Sequence, residues 1–242
     1  MKSGSNLKRI ILKISGELFK GEDSSLNIPF IEEFARELVE AKNLGIELAV
    51  LVGGGNFFRG EKLSKEFALP QLMLDYAGTL STVINGIILM SIFEKMGQNS
   101  RVLNAYKIGE FIEQYEPKHA ISYLEGGDIV ILTGGLGIPF ITTDTATALR
   151  GIELGVDIVL KGTKVEGVYD ADPMENPDAK FYRKISYEEV LRNKLGIMDL
   201  TAVTLCMKKR IPIRVFNFKE RGNLIKILKG KDIGTFIGGE DE

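Results

Sequence analysis

The sequence predicts a doubly wound α/β domain, and three observations carry that prediction. Short apolar runs alternate with stretches of helical periodicity along all 242 residues. The runs are continuous rather than alternating, which suits strands buried on both faces of a parallel sheet. Two of them lead straight into glycines. Leu48–Val52 is followed by Gly53-Gly54-Gly55, and Asp128–Thr133 by Gly134-Gly135-Leu136-Gly137-Ile138-Pro139. Ligands of open α/β sheets bind beyond the carboxyl ends of strands, so these two loops are expected to line one cleft.

In chain order, Arg9 to Ile14 (RIILKI) reads as the first strand, with Lys13 near its end and Ser15-Gly16-Glu17 after it. A lysine in an apolar strand is costly to bury without an anionic partner. It is either an active-site lysine at a strand end or an edge lysine facing water. Ile31, Phe34, Ala35, Leu38, Val39 and Ala41 recur with helical spacing, and Gly45 ends that helix. The strand Leu48–Val52 follows. Its three glycines let the backbone approach a ligand and offer bare N–H groups to phosphate oxygens. Arg59 could add a bidentate phosphate contact; the plainer reading is a tight turn with a surface arginine.

Gln71 to Met96 reads as one long helix, with Leu72, Leu74, Leu80, Val83, Ile84, Ile87 and Ile88 on its buried side. Asp75, Thr82 and Asn85 are polar positions that look into a cleft or else serve capping and exposed-face roles. The most apolar part, Thr82 to Phe93, is broken by Asn85, Gly86 and Ser91 and reads as too short to span a bilayer. Arg101–Leu103 is a short strand. Pro117 opens a helix carrying His119, Ile121 and Leu124, and this lone histidine reads as a surface residue. After the second glycine loop, Thr142 or Thr143 caps a helix that ends near Gly155. Asp144 in its first turn suits the helix dipole, a structural role that competes with a catalytic one.

Asp157 to Lys161 (DIVLK) is a further strand ending in lysine. Gly162 to Phe181 reads as a long turn-rich loop, and loops of that length are often functional. Ser186-x-x-Glu189 is a capping box. Met198–Lys209 reads as a helix, Arg214–Phe218 as a strand, Asn223–Leu228 as a short helix and Gly234–Ile237 as a last strand, with Gly238–Glu242 a frayed tail. No linker, low-complexity segment or short-period repeat divides the chain, so residues 1–242 read as one domain.

Composition narrows the function. An apolar content of 44% and a charged content of 26% are those of an ordinary globular protein. A net charge of −2 leaves no basic footprint and argues against nucleic acid as the main partner. Cys206 has no second cysteine to pair with, and its apolar helical setting reads as inert core. The N-terminal MKSGSNLKR has no apolar signal region. These features together predict a reduced, cytoplasmic protein with no membrane attachment.

The candidate chemistry is two strand-end lysines, Lys13 and Lys161, two glycine loops, Arg59 and several acids. No serine–histidine pair, Cys/His cluster or HExxH motif is present. Phosphoryl transfer fits best, because it needs positioning and positive charge more than a covalent nucleophile.

At this point the residues carry a resemblance. LKISGE (Leu12 to Glu17), GGGNFFRG (Gly53 to Gly60), the Asp75 to Asn85 segment, PFITTD (Pro139 to Asp144), RGIELGVDIVLKGTKVEGVYDADP (Arg150 to Pro173), IMDLTA (Ile197 to Ala202) and PIRVFN (Pro212 to Asn217) stand in order over nearly the whole chain. Together they resemble the amino-acid kinase superfamily, and within it the bacterial uridylate kinases. The resemblance implies a three-layer α/β/α sandwich with a mostly parallel central sheet. It implies transfer of the ATP γ-phosphate to UMP, giving UDP and ADP for pyrimidine nucleotide biosynthesis. Magnesium enters as Mg-ATP, with no protein metal site. The UMP site lies in the N-terminal half and the ATP site in the C-terminal half.

Carried over position by position, the resemblance assigns Lys13, Ile14, Ser15, Gly16, Gly55, Arg59, Lys161, Thr163, Tyr169 and Asp172 to ATP. It assigns Gly54, Asp75 and the run Gly135, Leu136, Gly137, Ile138, Pro139, Phe140, Ile141 and Thr142 to UMP. Lys13, Lys161, Arg59 and Asp144 are catalytic, with Asp144 orienting the lysines and Asp199 a candidate for organising either the lysines or Mg-ATP. A homohexamer is implied, and inhibition by UTP is admitted. The chain departs from the family's usual G-T-G-N-P, reading Gly135-Leu136-Gly137-Ile138-Pro139, so two aliphatics replace a hydroxyl and an amide. Met90, Glu94 and Asp128 stand where basic or polar groups serving GTP activation are expected. A carbamate or amino-acid kinase, or a non-catalytic nucleotide sensor, is the competing reading. The first would not need Asp75 or Arg59, and the second would more readily have lost Lys13 or Asp144.

Overall fold

A computed structural model describes residues 7–21, 26–57 and 60–239, the side chains of residues 60–62 excepted. The chain forms two compact units, residues 13–143 and residues 1–12 with 144–242, and the division falls inside the first strand. Each unit carries mostly parallel strands with helices against them, the predicted α/β class.

The first strand, β1 (Arg9–Ile14), ends in a single 3-10 turn, Gly16–Phe19. Then come α1 (Ile28–Asn43), β2 (Glu47–Val52), α2 (Gly60–Phe67), α3 (Gln71–Lys95), β3 (Ser100–Asn104), β4 (Glu113–Gln114), α4 (Pro117–Glu125) and β5 (Ile129–Thr133). The strands of this unit run in the order β4-β3-β5-β2. All three pairings are parallel, with Val50 opposite Ile131 and Val102 opposite Ile131 on its other side. The aliphatic runs read from the sequence are the wholly buried strands β2 and β5. α1 buries Ile31, Phe34, Ala35, Leu38 and Ala41, the predicted stripe.

The second unit continues with α5 (Thr143–Leu154), β6 (Ile158–Thr163), β7 (Val168–Tyr169), β8 (Phe181–Tyr182), β9 (Lys184–Ser186), α6 (Tyr187–Arg192), α7 (Leu200–Lys209), β10 (Ile213–Asn217), α8 (Asn223–Leu228) and β11 (Thr235–Gly238). Its strands follow β1-β6-β10-β11-β9. β6 and β10 are parallel, β11 is antiparallel to β10, and β9 is parallel to β11. The capping box of α6 is formed at both ends, Ser186 to Glu189 and back. Gly238 belongs to β11 rather than to a frayed tail, and residues 240–242 lie outside the described residues.

Several expectations are corrected. α2 is a helix where no element was expected, and the predicted loop from Gly162 to Phe181 contains β7, paired antiparallel with β8. The buried side of α3 is not the one read from apolarity. Leu72, Leu80 and Ile84 are exposed, whereas Ser81, Thr82, Val83, Asn85, Gly86 and Leu89 are buried. The reason is closeness of approach: a Cβ added at Gly86 would lie 2.5 Å from Thr133 Cγ2, so the helix meets β5 on the face that carries this glycine. α3 is also not too short for a bilayer. At 25 residues and a mean hydropathy of 1.5 it has the length and composition to cross one. Its buried polar face, hydrogen-bonded to the glycine loops, makes it the core helix of this unit.

Candidate active site

In the unit of residues 13–143 the two glycine loops are held to α3 by its buried polar side chains. Asn85 is wholly buried. Its amide donates to Gly53 O at 2.7 Å and to Asn56 Oδ1 at 2.8 Å, and accepts from Asn56 Nδ2 at 3.0 Å. Thr82 Oγ1 accepts from Gly134 N at 2.7 Å and donates to Thr79 O at 2.7 Å. So Thr82 and Asn85, open between a cleft and a structural role, bind the backbone of the loops. At their closest points the loops have no room for a side chain. A Cβ at Gly16 would lie 2.5 Å from Gly53 O, and one at Gly54 2.6 Å from Gly78 O. Gly134, at φ +74°, needs the left-handed region, and a Cβ there would meet Asn104 Oδ1 at 2.3 Å.

These loops and α3 enclose a cleft of about 720 Å³, a size suited to a nucleotide or drug-sized ligand. Its walls include Gly54, Gly55, Gln71, Asp75, Gly78 and residues 134–136 and 138–143. Of the predicted UMP residues, all but Gly137 line this one cavity. Asp75 Oδ2 accepts from Phe140 N at 2.9 Å, which ties the rim loop to the first turns of α3. Phe140 holds φ +66° and is exposed, as are Ile138 and Ile141. Leu136 and Ile138 both line the cleft. Gln71 is a cleft residue that the sequence reading passed over. It stands four residues before Asp75, and that helical spacing was the available signal.

Of the phosphate-side candidates in this unit, Lys13 is only 8% exposed, so it is not an edge lysine facing water. Ile14 is buried and its carbonyl accepts from Gly53 N at 2.9 Å, joining the end of β1 to the first glycine loop. Ser15 Oγ caps the 3-10 turn, accepting from Glu17 N at 3.4 Å. Arg59 lies outside the described residues.

In the other unit Lys161, at the end region of β6, donates to Asp144 Oδ2 at 2.6 Å and to the carbonyl of Ile197. Both partners are largely buried, so the pair is well shielded from solvent. Asp199 caps α7, accepting from Ala202 N at 2.8 Å. The same carboxylate accepts from Thr145 Oγ1 at 2.7 Å and Thr145 N at 3.2 Å. It thereby anchors the residue next to Asp144, a link the sequence did not signal. Thr163 Oγ1 donates within its own turn, to Val165 O at 2.7 Å. Asp172 is exposed and accepts from Met174 N at 2.9 Å, an Asx-type turn. Tyr169 packs edge-on against Phe181, with ring centroids 5.3 Å apart. His119 is exposed beside Glu113, as expected of a surface histidine.

Burial pushes the Cys206 thiol up to about 12, and the side chain is wholly buried, so it is the inert core residue predicted. Among the described residues no cluster of three His, Cys, Asp or Glu could hold a metal. What the site residues offer is backbone N–H groups in two glycine loops, buried lysines and a carboxylate–lysine pair. That set suits the handling of phosphate groups.

The family model described as the amino acid kinase family matches residues 8–217. A chloroplastic uridylate kinase of Arabidopsis thaliana is 44% identical over 233 residues, covering 96% of this chain and 69% of that protein. A uridylate kinase of Pseudoalteromonas atlantica is 45% identical over 231 residues, covering 95% of this chain and 93% of its own. The crystal structure of UMP kinase from Bacillus anthracis superposes with a TM-score of 0.93 at 35% identity, covering 97% of each chain.

Proposed function

The chain belongs to the amino acid kinase family, and on that premise we propose that it is a UMP kinase, transferring the γ-phosphoryl group of ATP to UMP to give UDP and ADP. The observation that carries this reading is the cleft of residues 13–143, where Asp75 and two glycine loops, packed too tightly at Gly54 and Gly134 for a Cβ, line one nucleotide-sized cavity. A carboxylate wall suits ribose hydroxyls, which donate to it, and bare N–H groups suit a phosphate.

In this reading Gly54, Asp75 and residues 135–142 hold UMP. Ser15, Gly16, Gly55, Thr163, Tyr169 and Asp172 hold ATP. Lys13, Lys161 and Arg59 neutralise charge on the phosphoryl group and its leaving oxygen, and Asp144 orients Lys161 through their hydrogen bond. Thr163 and Asp172 would reach ATP while keeping the turn bonds described above. Magnesium comes with the nucleotide as Mg-ATP. When bound, it draws charge from the phosphate oxygens.

The same reading includes a homohexamer in the cytoplasm, open to inhibition by UTP. The exposed stripe Leu72, Tyr76, Leu80 and Ile84, at four-residue spacing on α3, supports self-association. A coupled assay of ADP release tests the activity, with UMP, CMP, dCMP, carbamate and aspartate as acceptors. UMP is expected to be the preferred acceptor. Preference for carbamate or aspartate would replace this reading with a sister kinase. Replacing Leu136 by Thr and Ile138 by Asn is expected to lower KM for UMP and leave that for ATP unchanged.

A further inference from the structure

α3 presents three kinds of surface to the cleft in register along its length. At Gly78 and Thr82 it meets the glycine loops: a Cβ at Gly54 would touch Gly78 O, and Thr82 binds Gly134 N. One turn toward the N-terminus stands Asp75, and one turn further Gln71, the first residue of the helix. At 1.5 Å per residue, Gly78 to Gln71 is about 10 Å along the axis. That is the reach of a pyrimidine nucleotide from its 5′-phosphate to the far edge of its base. With phosphate at the loops and ribose at Asp75, the base edge falls beside Gln71.

The chemistry at that end is sparse. Leu136 and Ile138 line the wall and carry no side-chain hydrogen-bonding group. Thr79 Oγ1 already donates to Asp75 O at 2.9 Å, and Thr82 is bound on both sides. The Gln71 side chain makes no hydrogen bond among the described residues, and it is half-buried in the cleft lining. Its amide both donates and accepts, and so complements the imide edge of uracil, with N3–H donating and O4 accepting.

We propose that Gln71 is the base-reading residue of the acceptor site, recognising the uracil edge of UMP in place of the loop positions held by Leu136 and Ile138. This rests on the UMP kinase reading. Its role is in binding, and it takes no part in the transfer step.

The test is steady-state kinetics with UMP and CMP at saturating ATP, on wild type, Gln71→Ala and Gln71→Glu. Gln71→Ala is expected to raise KM for UMP roughly 3- to 30-fold, the effect of one or two neutral hydrogen bonds, with kcat and the KM for ATP essentially unchanged. Gln71→Glu can only accept. It is expected to shift preference from UMP toward CMP, because cytosine N4 donates where uracil O4 accepts. A glutamate in the first turn suits the helix dipole, so that variant should fold. If wild type phosphorylates UMP while both variants keep its KM and its UMP-to-CMP ratio, the inference is overturned and the kinase reading stands. If wild type does not phosphorylate UMP, the kinase reading falls and the inference with it.

Discussion

Asp75 and Phe140 stand 65 residues apart and share one hydrogen bond, from Phe140 N–H to Asp75 Oδ2 at 2.9 Å. Asp75 also lines the cleft, and the bond holds a phenylalanine at φ +66°, a region non-glycine residues enter with strain. One acid thus serves as both tether and cleft wall.

Asp75→Ala should therefore raise KM for UMP by about tenfold or more. It should also speed amide exchange at Phe140 and its neighbours. Asp75→Asn keeps an acceptor for Phe140 N–H, so it should preserve the exchange protection while still weakening UMP. Should both variants impair ATP and spare UMP, the acceptor assignment of this cleft is wrong.

Lys13 is buried in a strand of aliphatic residues, a setting that fixes its charge in place. Lys13→Ala should lower kcat on the order of 10²- to 10⁴-fold with little change in ATP affinity, the signature of a preorganised charge acting in the transition state. Single-turnover kinetics alongside nucleotide titration separate the two effects. Near-normal turnover would remove Lys13 from the catalytic set.

Asp199 works at a distance from the chemistry, through Thr145 and the cap of α7. Asp199→Ala should cost about 1–3 kcal/mol of stability, combining a lost N-cap with unsatisfied donors at Thr145. It should lower kcat by loosening the turn that carries Asp144. Asp199→Asn retains one acceptor and should lose less of both. Equal thermal melting of wild type and Asp199→Ala would show the contacts to be dispensable.

Cys206 gives a pH prediction with a definite sign. Burial pushes its thiol up to about 12 from the ordinary 9.0. The folded state therefore holds its proton more tightly, and this contribution to stability is complete below pH 9 and declines as pH rises through that interval. A thiol reagent at pH 8 should stay silent on the native protein and react fully once the chain is unfolded. Rapid labelling of the native state would contradict the burial.

The exposed stripe on α3 gives the last prediction. Leu80→Lys places a charge in the middle of Leu72, Tyr76 and Ile84. Sedimentation velocity should show a smaller species than wild type. An unchanged distribution would move the association surface elsewhere.

Much of the fold was legible because aliphatic runs and helical stripes are strong local signals; β1 and α8 match residue for residue. The pairs β4, β7 and β8 are two residues each and leave no periodic pattern to read. α3 misled for a deeper reason. Apolarity usually marks the buried side, but here Gly86, Ser81 and Thr82 are small enough to let the helix approach β5, and the larger aliphatics turn outward. In the site, glycine runs and strand-end lysines announced themselves by their rarity in such contexts. Thr145 and Asn56 matter only through neighbours distant in sequence, Asp199 and Asn85, which no local pattern encodes.

The packing of Gly16 against Gly53, and of Gly54 against Gly78, bears on how such a protein can diverge. A side chain at Gly16 or at Gly54 collides with a main-chain oxygen, an atom that cannot rotate out of the way. These two positions are thus closed to substitution. The rim is open: Ile138, Phe140 and Ile141 project into solvent and can be exchanged at little cost to folding. Descendants of this chain that acquire a new acceptor will do so by rewriting the rim and the N-terminal turn of α3, while the glycines beneath remain as they are.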